Sequence, residues 1–206
     1  YQRPPLSKAY LLDKIRDTRL FLKQKDFYKE KNIVLKLGEK VTSIDRKRKS
    51  ISARSQTILY DTLILATGAK ANSLPLNISG GLENIFSIRN IEDVVRLKKK
   101  FLSSKSVLII GGGYIGLEAA AVCLEKGLNG ELVESGTRIL QRVASEKTSS
   151  FLKKIHISKG VEISEKTSVS GIKNDNGNII AIFSDQSSYR CDFIITGIGA
   201  SPQIFL

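Results

Sequence analysis

Six consecutive residues, Gly111-Gly112-Gly113-Tyr114-Ile115-Gly116, have the types and spacing to hold a phosphate-bearing ligand. Residues Ser106–Ile110 (SVLII) before them read as a buried strand, and Tyr114–Lys126 as a helix. The glycines therefore fall at a strand-to-helix turn. Gly111 permits the tight bend, Gly113 lets a pyrophosphate approach the backbone, and Gly116 lets the helix pack closely on the strand. Unpaired N–H groups at the helix N-terminus, aligned with its dipole, then favour an anion. Glu134 closes the following strand, 18 positions past Gly116. A carboxylate there accepts the ribose hydroxyls of NAD and repels the 2′-phosphate of NADP. The plainer alternative for Glu134 is a solvated strand end.

Other chemistry is sparse. Two cysteines, Cys123 and Cys191, and one histidine, His156, are too few for a disulfide framework, a zinc site or a catalytic triad. Cys123 falls among Ala and Val in the middle of the helix and reads as a core residue. His156 sits at a helix end, a usual place for His beside the dipole, and carries no assigned role. Two cysteines fit a reducing compartment, so the protein is expected to be cytoplasmic.

The elements that must position these residues change character along the chain. Residues 7–24 are predicted to form a helix, with Ser7 as N-cap and Leu11, Leu12, Ile15, Leu20 and Leu22 on one face. Short alternating runs at 33–37, 38–44, 49–53 and 57–59 predict an antiparallel meander with a charged turn at Asp45–Arg48. Asp61–Ala66 (DTLILA) reads as a fully buried strand closed by Thr67-Gly68, and 69–82 as loop. Asn90–Leu102 is predicted as a basic amphipathic helix. From Ser106 onward, strands at 106–110, 131–134, 161–164, 168–173, 179–184 and 192–196, with helices at 114–126 and 144–158, predict a βαβαβ unit on a parallel sheet. Asn174–Asn178 (NDNGN) predicts a hairpin turn. Gly130 and Glu131 are weak strand formers within the second strand. The fold class is α/β with a boundary near residue 90.

Composition is that of an ordinary globular chain, 41% apolar, and no apolar run reaches the ~20 residues of a membrane span. There is no Met and no signal-like start, so the 206 residues are expected to be an internal piece of a longer protein. The net charge of +13 is uneven: residues 1–100 hold 22 Lys and Arg against 10 Asp and Glu, while the remainder is nearly balanced. Such a face steers an acidic protein partner, binds nucleic acid non-specifically, or is simply solvated Lys.

Four segments in order, QRPPLSK (2–8), YDTLILATG (60–68), GGGYIGLE (111–118) and TGIGASP (196–202), resemble the FAD-dependent pyridine-nucleotide oxidoreductases. The likeness is to the ferredoxin and rubredoxin reductases that serve oxygenases, with apoptosis-inducing factor a relative. The resemblance implies two dinucleotide-binding domains, with residues 1–90 the central part of the FAD domain and 91–206 a near-complete Rossmann-like NAD domain. It implies that Arg3, Lys8, Val41 (by its backbone), Thr67, Gly68 and Arg89 contact FAD. Lys8 and Glu118 would pair at the flavin–nicotinamide junction as the catalytic residues. Gly111, Gly112, Gly113, Tyr114, Ile115 and Gly116 would form the NAD turn, with Glu134, Ser135 and Arg142 on the adenosine ribose. Gly197, Ile198 and Gly199 would line the nicotinamide side. The alternative for Glu118 is that it only balances the helix N-terminus.

The activity so implied is hydride transfer from NADH to the flavin, then single electrons to an acidic ferredoxin or rubredoxin. Neither a membrane nor a nucleic-acid partner is expected. The redox CxxxxC of the disulfide-reductase relatives has no counterpart in the RPPLSK segment. The family's first FAD-binding βαβ would precede Tyr1, and its Gly-Asp flavin segment would follow Leu206, so the isolated chain is expected to be inactive. Two other readings stand beside this one: an NADH oxidase or apoptosis-inducing-factor-like flavoprotein, and a non-catalytic NAD-binding module with a basic nucleic-acid-binding surface.

Overall fold

Two predicted strands of nearly continuous apolar sequence, at 106–110 and 192–196, become neighbours in the middle of one parallel sheet. The computed structural model describes residues 1–54 and 56–204. These form two compact units, Tyr1–Leu20 with Ala71–Ala200, and Phe21–Lys70 with the segment from Ser201 onward.

In the second unit, helix α1 (Lys25–Glu30) is a short helix. Strands β1 (Val41–Asp45), β2 (Ser50–Ala53) and β3 (Gln56–Leu59) form the expected antiparallel meander. Its charged turn is fixed by the Asp45 carboxylate, which accepts the Lys47 and Arg48 N–H groups at 2.9 Å each. Two expected strands are absent. Residues 33–37 are a loop with Val34 82% and Leu37 76% exposed. Asp61–Ala66 is likewise irregular, with Ile64 83% exposed, although its sequence reads as a buried strand. An apolar run becomes a buried strand only where ladder partners and two covering layers exist; among the described residues neither run has a strand beside it.

The predicted helix at 7–24 also does not form. Pro4–Ser7 is a 3-10 turn, and a second such turn spans Asp17–Arg19. Ser7 therefore ends a turn rather than capping a helix. Asp13 adopts a left-handed φ of +62°, and its carboxylate meets Lys98 at 2.8 Å and Lys126 at 2.9 Å. Tyr10 donates to Asp17 and lies under the Lys98 ammonium. Helix-like backbone bonds persist only in part, as from Leu12 N–H to Lys8 O at 3.0 Å, yet Leu11 and Leu20 still enter the core while Leu22 stays exposed.

After the short strand β4 (Ala69–Ala71), the single helical turn α2 (Leu76–Ser79) and strand β5 (Ile85–Ser87), helix α3 runs Ile91–Phe101. A reciprocal Asn90–Asp93 capping box starts it. Strand β6 (Ser106–Ile110), helix α4 (Tyr114–Glu125), strand β7 (Asn129–Glu134), helix α5 (Glu146–Ser158) and strand β8 (Glu162–Glu165) follow as expected. A meander of β9 (Val169–Asp175), β10 (Asn178–Phe183) and β11 (Ser188–Cys191) precedes β12 (Phe193–Thr196) and β13 (Ala200–Pro202). Asn176 and Gly177 both take positive φ in the β9–β10 turn, as the Asn-Gly pair predicts.

The parallel sheet runs β5-β12-β6-β7-β8. Alternate residues serve opposite faces. Val107, Ile109, Leu132, Phe193 and Ile195 pack with the helices and with Leu6, Tyr10, Leu11 and Leu20. Leu108, Ile110, Val133 and Ile194 pack under the β9–β11 meander. Both faces are thus covered, which is why β6 and β12 are apolar along nearly their whole length. Gly130 and Glu131 lie within β7 despite their poor propensity; burial pushes the Glu131 carboxyl above its ordinary value, and Ser164 donates to it at 3.0 Å.

Candidate functional site

A cleft of about 580 Å³ opens where β6, β7 and β12 end. Ligands of open parallel sheets bind at such strand ends. Its walls are the turn Gly111–Ile115, the bend Glu134–Gly136, the loop Leu140–Val143 and the segment Thr196–Ala200, with Ala71, Ile88 and Arg89 alongside.

The three glycines of the turn answer different constraints. Gly111 has φ +106°, and a Cβ there would lie 2.6 Å from the Gly197 carbonyl oxygen. A Cβ on Gly116 would lie 1.9 Å from the Gly111 oxygen, so helix and turn touch only because both lack side chains. Gly113 differs: a Cβ there meets nothing nearer than Gly197 O at 3.8 Å. Open space remains in front of it. Gly113 is also the N-cap of α4, and no side chain caps that 12-residue helix. Its first-turn N–H groups and positive dipole end face the cleft, as an anion requires.

Glu134 is not a solvated strand end. Its Oε2 accepts the Gly112 N–H at 2.6 Å and its Oε1 the Gly136 N–H at 2.6 Å, with Ser135 Oγ at 3.4 Å. A carboxylate offers about four lone-pair sites; these contacts leave one, and a second hydroxyl finds room by displacing the long Ser135 contact. Arg142 is exposed and, among the described residues, makes no ion pair. Its Nη2 lies 3.8 Å from where a Gly199 Cβ would stand, so the guanidinium reaches from one wall of the cleft to the other.

The structure brings Arg89, Gly111, Gly112, Gly113, Tyr114, Ile115, Glu134, Ser135, Arg142, Gly197, Ile198 and Gly199 to this cleft. Gly116 is buried just behind it. A second cluster forms on the same unit. Lys8 Nζ lies 2.7 Å from Glu118 Oε1, and the buried Ser7 hydroxyl donates to Glu118 Oε2. Two consecutive residues thus hold both carboxylate oxygens of a helix residue otherwise surrounded by Leu and Ala. Arg3 Nη1 donates to the Arg89 carbonyl at 3.2 Å. Val41, Thr67 and Gly68 lie in the other unit, where Thr67 Oγ1 donates to Gln203 O at 2.6 Å and Gly68 has φ +74°.

Sequence reasoning missed Ser7, Gly136 and Gln141. A serine beside the lysine and a glycine two residues past the acid were visible signals; Gln141 had none. Cys123 is fully buried, its thiol pushed up to about 12 by burial, in keeping with a core residue. Burial lowers the His156 value, which disfavours a charge beside the helix dipole. Among the described residues no group of His, Cys, Asp and Glu could hold a metal ion, and no helix is long and apolar enough to cross a membrane.

The family described as pyridine nucleotide-disulphide oxidoreductase matches residues 1–206. The chain belongs to this family. Within it, the chain is 34% identical over 208 positions to rubredoxin-NAD(+) reductase of Pseudomonas putida, covering 100% of this chain and 54% of that protein. It is 35% identical to putidaredoxin reductase of Pseudomonas putida, covering 97% and 49%. The crystal structure of a covalent putidaredoxin reductase–putidaredoxin complex matches with a TM-score of 0.91 at 33% identity, over 97% of this chain and 49% of that one. A water-forming NADH oxidase from Lactobacillus brevis bound to NADH shares the fold, with a TM-score of 0.86 at 20% identity over 96% and 45%. The chain spans about half the length of the curated relatives it matches. It carries an α/β architecture with a Rossmann-like parallel core, as family members do.

Proposed function

We propose that this chain is the central part of an FAD-dependent NADH:ferredoxin or NADH:rubredoxin reductase. Residues 91–206 would be its NAD-binding domain and 1–90 part of its FAD-binding domain; Phe205 and Leu206 lie outside the described residues. The observation that carries the reading is the Lys8–Glu118 pair, on the helix that the glycine turn opens. It ties the segment resembling a flavin contact to the helix that would seat the nicotinamide nucleotide.

The residues fit NAD. The space before Gly113 and the uncapped start of α4 suit a pyrophosphate, and Glu134 can accept ribose hydroxyls. Ser135 and Arg142 would add contacts to the same adenosine end. Gly197, Ile198 and Gly199 would line the nicotinamide end. For FAD, the Arg3 guanidinium donates to the Arg89 backbone carbonyl, which brings two cationic residues of a kind suited to a nucleotide's phosphates together, and Lys8 follows Arg3 five residues on. Val41, Thr67 and Gly68, in the other unit, would contact FAD as the family resemblance implies.

FAD, when bound, supplies the two-electron acceptor for NADH and the one-electron donor for an iron–sulfur carrier. The chain's own part is positional and electrostatic. Lys8 holds a positive charge at a fixed point, and Glu118, gripped by Ser7, keeps it there. No proton needs to be moved by a side chain in that transfer.

The partner would be an acidic ferredoxin or rubredoxin, drawn by the cationic excess of the first hundred residues. The names of the relatives support that class of carrier. Two free buried cysteines accord with a reducing cytoplasm. Purification of the complete protein tests the reading. Flavin absorbance, bleached by NADH and restored by ferredoxin or rubredoxin faster than by oxygen, is the expected result. Reoxidation by oxygen alone makes it an oxidase, and a colourless protein refutes a flavoenzyme altogether.

A further inference from the structure

Ile198 and Gly199 both line the cleft, and the peptide between them can face it in two ways. Its carbonyl and its N–H point in opposite directions, as in any trans peptide. One of the two is therefore offered to a ligand while the other is turned away. Gly199 has φ +97°, and glycine enters either half of φ space without steric cost. The local sequence leaves the choice open.

Asn72 decides it. The residue follows β4, lies in the same compact unit as Ile198 and Gly199, and stands outside the cleft lining. Its backbone N–H donates to Gly199 O at 3.0 Å, which fixes the peptide after Gly199. Its side-chain Nδ2 donates to Ile198 O at 3.3 Å. Among the described residues, that second bond alone fixes the peptide before Gly199. The Ile198 carbonyl is thus engaged by a residue outside the cleft. The Gly199 N–H points the opposite way and makes no hydrogen bond among the described residues.

We propose that Asn72 is a positioning residue for the nicotinamide: its side chain holds the Ile198–Gly199 peptide with the N–H toward the cleft, ready to donate to the carboxamide oxygen of the bound ring. This rests on the cleft being an NADH site with its nicotinamide end at 197–199. A carboxamide offers an oxygen acceptor on one side and NH2 donors on the other. A peptide held with its N–H inward takes the oxygen, and so sets which way the carboxamide lies. With its carbonyl inward it would take the NH2 group instead. A donor already in place also spares the ligand the cost of ordering it.

The test uses the complete protein and its Asn72→Ala and Asn72→Asp variants. Asp keeps the shape of Asn, but its carboxylate has no donor for a carbonyl. Two probes are titrated calorimetrically beside a thermal melt. One is 1,4,5,6-tetrahydro-NAD, whose partly saturated ring keeps the carboxamide but gives up no hydride. The other is ADP-ribose, which lacks the nicotinamide. Both variants are expected to melt close to wild type and to bind tetrahydro-NAD about three- to tenfold more weakly, the scale of one hydrogen bond. Their affinity for ADP-ribose should not change. An equal loss for both probes makes Asn72 a support of the whole cleft and overturns the proposal, as does no loss for either. If Asn72→Ala does not fold, Asn72→Asp must show the selective loss; failure of both to fold makes Asn72 a residue of the fold and also overturns it. A wild-type protein that binds neither probe refutes the NADH site itself, and the proposal with it.

Discussion

The separate duties of the glycines give the sharpest prediction. Gly116→Ala would set a Cβ 1.9 Å from the Gly111 carbonyl oxygen. Comfortable non-bonded separation is roughly 3.5 Å, so turn and helix must part by well over an ångström. The atom struck is backbone, already engaged through the Gly111 N–H bond to Val133 O at 2.8 Å. One methyl too many in a close-packed site costs about 1–3 kcal/mol and sometimes more; this case belongs at or above the upper end. At roughly 2–4 °C per kcal/mol for a domain of this size, the melting midpoint should fall by several degrees. Gly113→Ala is the control. Its Cβ would meet only Gly197 O, at 3.8 Å, so the fold should lose about 1 kcal/mol at most, the scale of an N-cap change. Yet the methyl would occupy the space where the proposed pyrophosphate would lie. Thermal melts and NAD⁺ titrations of both variants in the complete protein give the readout. We expect Gly116→Ala to lose stability and binding together, and Gly113→Ala to lose binding with stability nearly intact. A Gly116→Ala protein as stable as wild type, or Gly113→Ala destabilised to the same extent, refutes the division of roles.

Further outcomes follow from other contacts. Asp192 is partly buried, which raises its carboxyl, but the Lys105 and Ser106 N–H groups and the Ser106 hydroxyl outweigh this and hold it below its ordinary 3.8. A depressed folded value means stability that is present above about pH 4 and lost as pH falls through the folded value; Asp192→Asn should flatten the acid limb of a urea-midpoint-versus-pH curve, and an unchanged limb counts against it. Ser7→Ala removes one donor from Glu118 and should cost about 0.5–1.5 kcal/mol. The half-exposed Lys8–Glu118 pair should show a coupling of no more than on the order of 1 kcal/mol in a double-mutant cycle. Burial pushes both Cys123 and Cys191 thiols up to about 12, so neither should react with an alkylating reagent at pH 8 until the protein is unfolded; rapid labelling of the native protein would contradict their placement.

The sequence was most legible where one local signal met one packing need. SVLII, with both faces apolar, could only be an inner parallel strand, and the glycines after it left few other turns possible. Asn174–Asn178 announced its hairpin for the same reason. Legibility failed where the outcome depended on a distant partner. Residues 7–24 carry a helical spacing of leucines, but Asp13 gains two ammonium partners only by leaving the helix. DTLILA looks like a buried strand, yet no described strand stands beside it, and Ile64 and Leu65 remain exposed. At the site, Glu134 was visible as an acid at the right spacing. Its two backbone donors were not, because Gly112 lies 22 residues away and Gly136 donates only after the chain bends back. Ser7 was hidden by its neighbour, the lysine that draws attention to the same carboxylate.

Crystals of the complete protein grown with NAD⁺ offer the most direct measurement. The pyrophosphate should lie against the backbone at Gly113 and the start of α4, with both adenosine ribose hydroxyls bonded to Glu134. A dinucleotide bound elsewhere, or a ribose turned away from that carboxylate, would contradict the account.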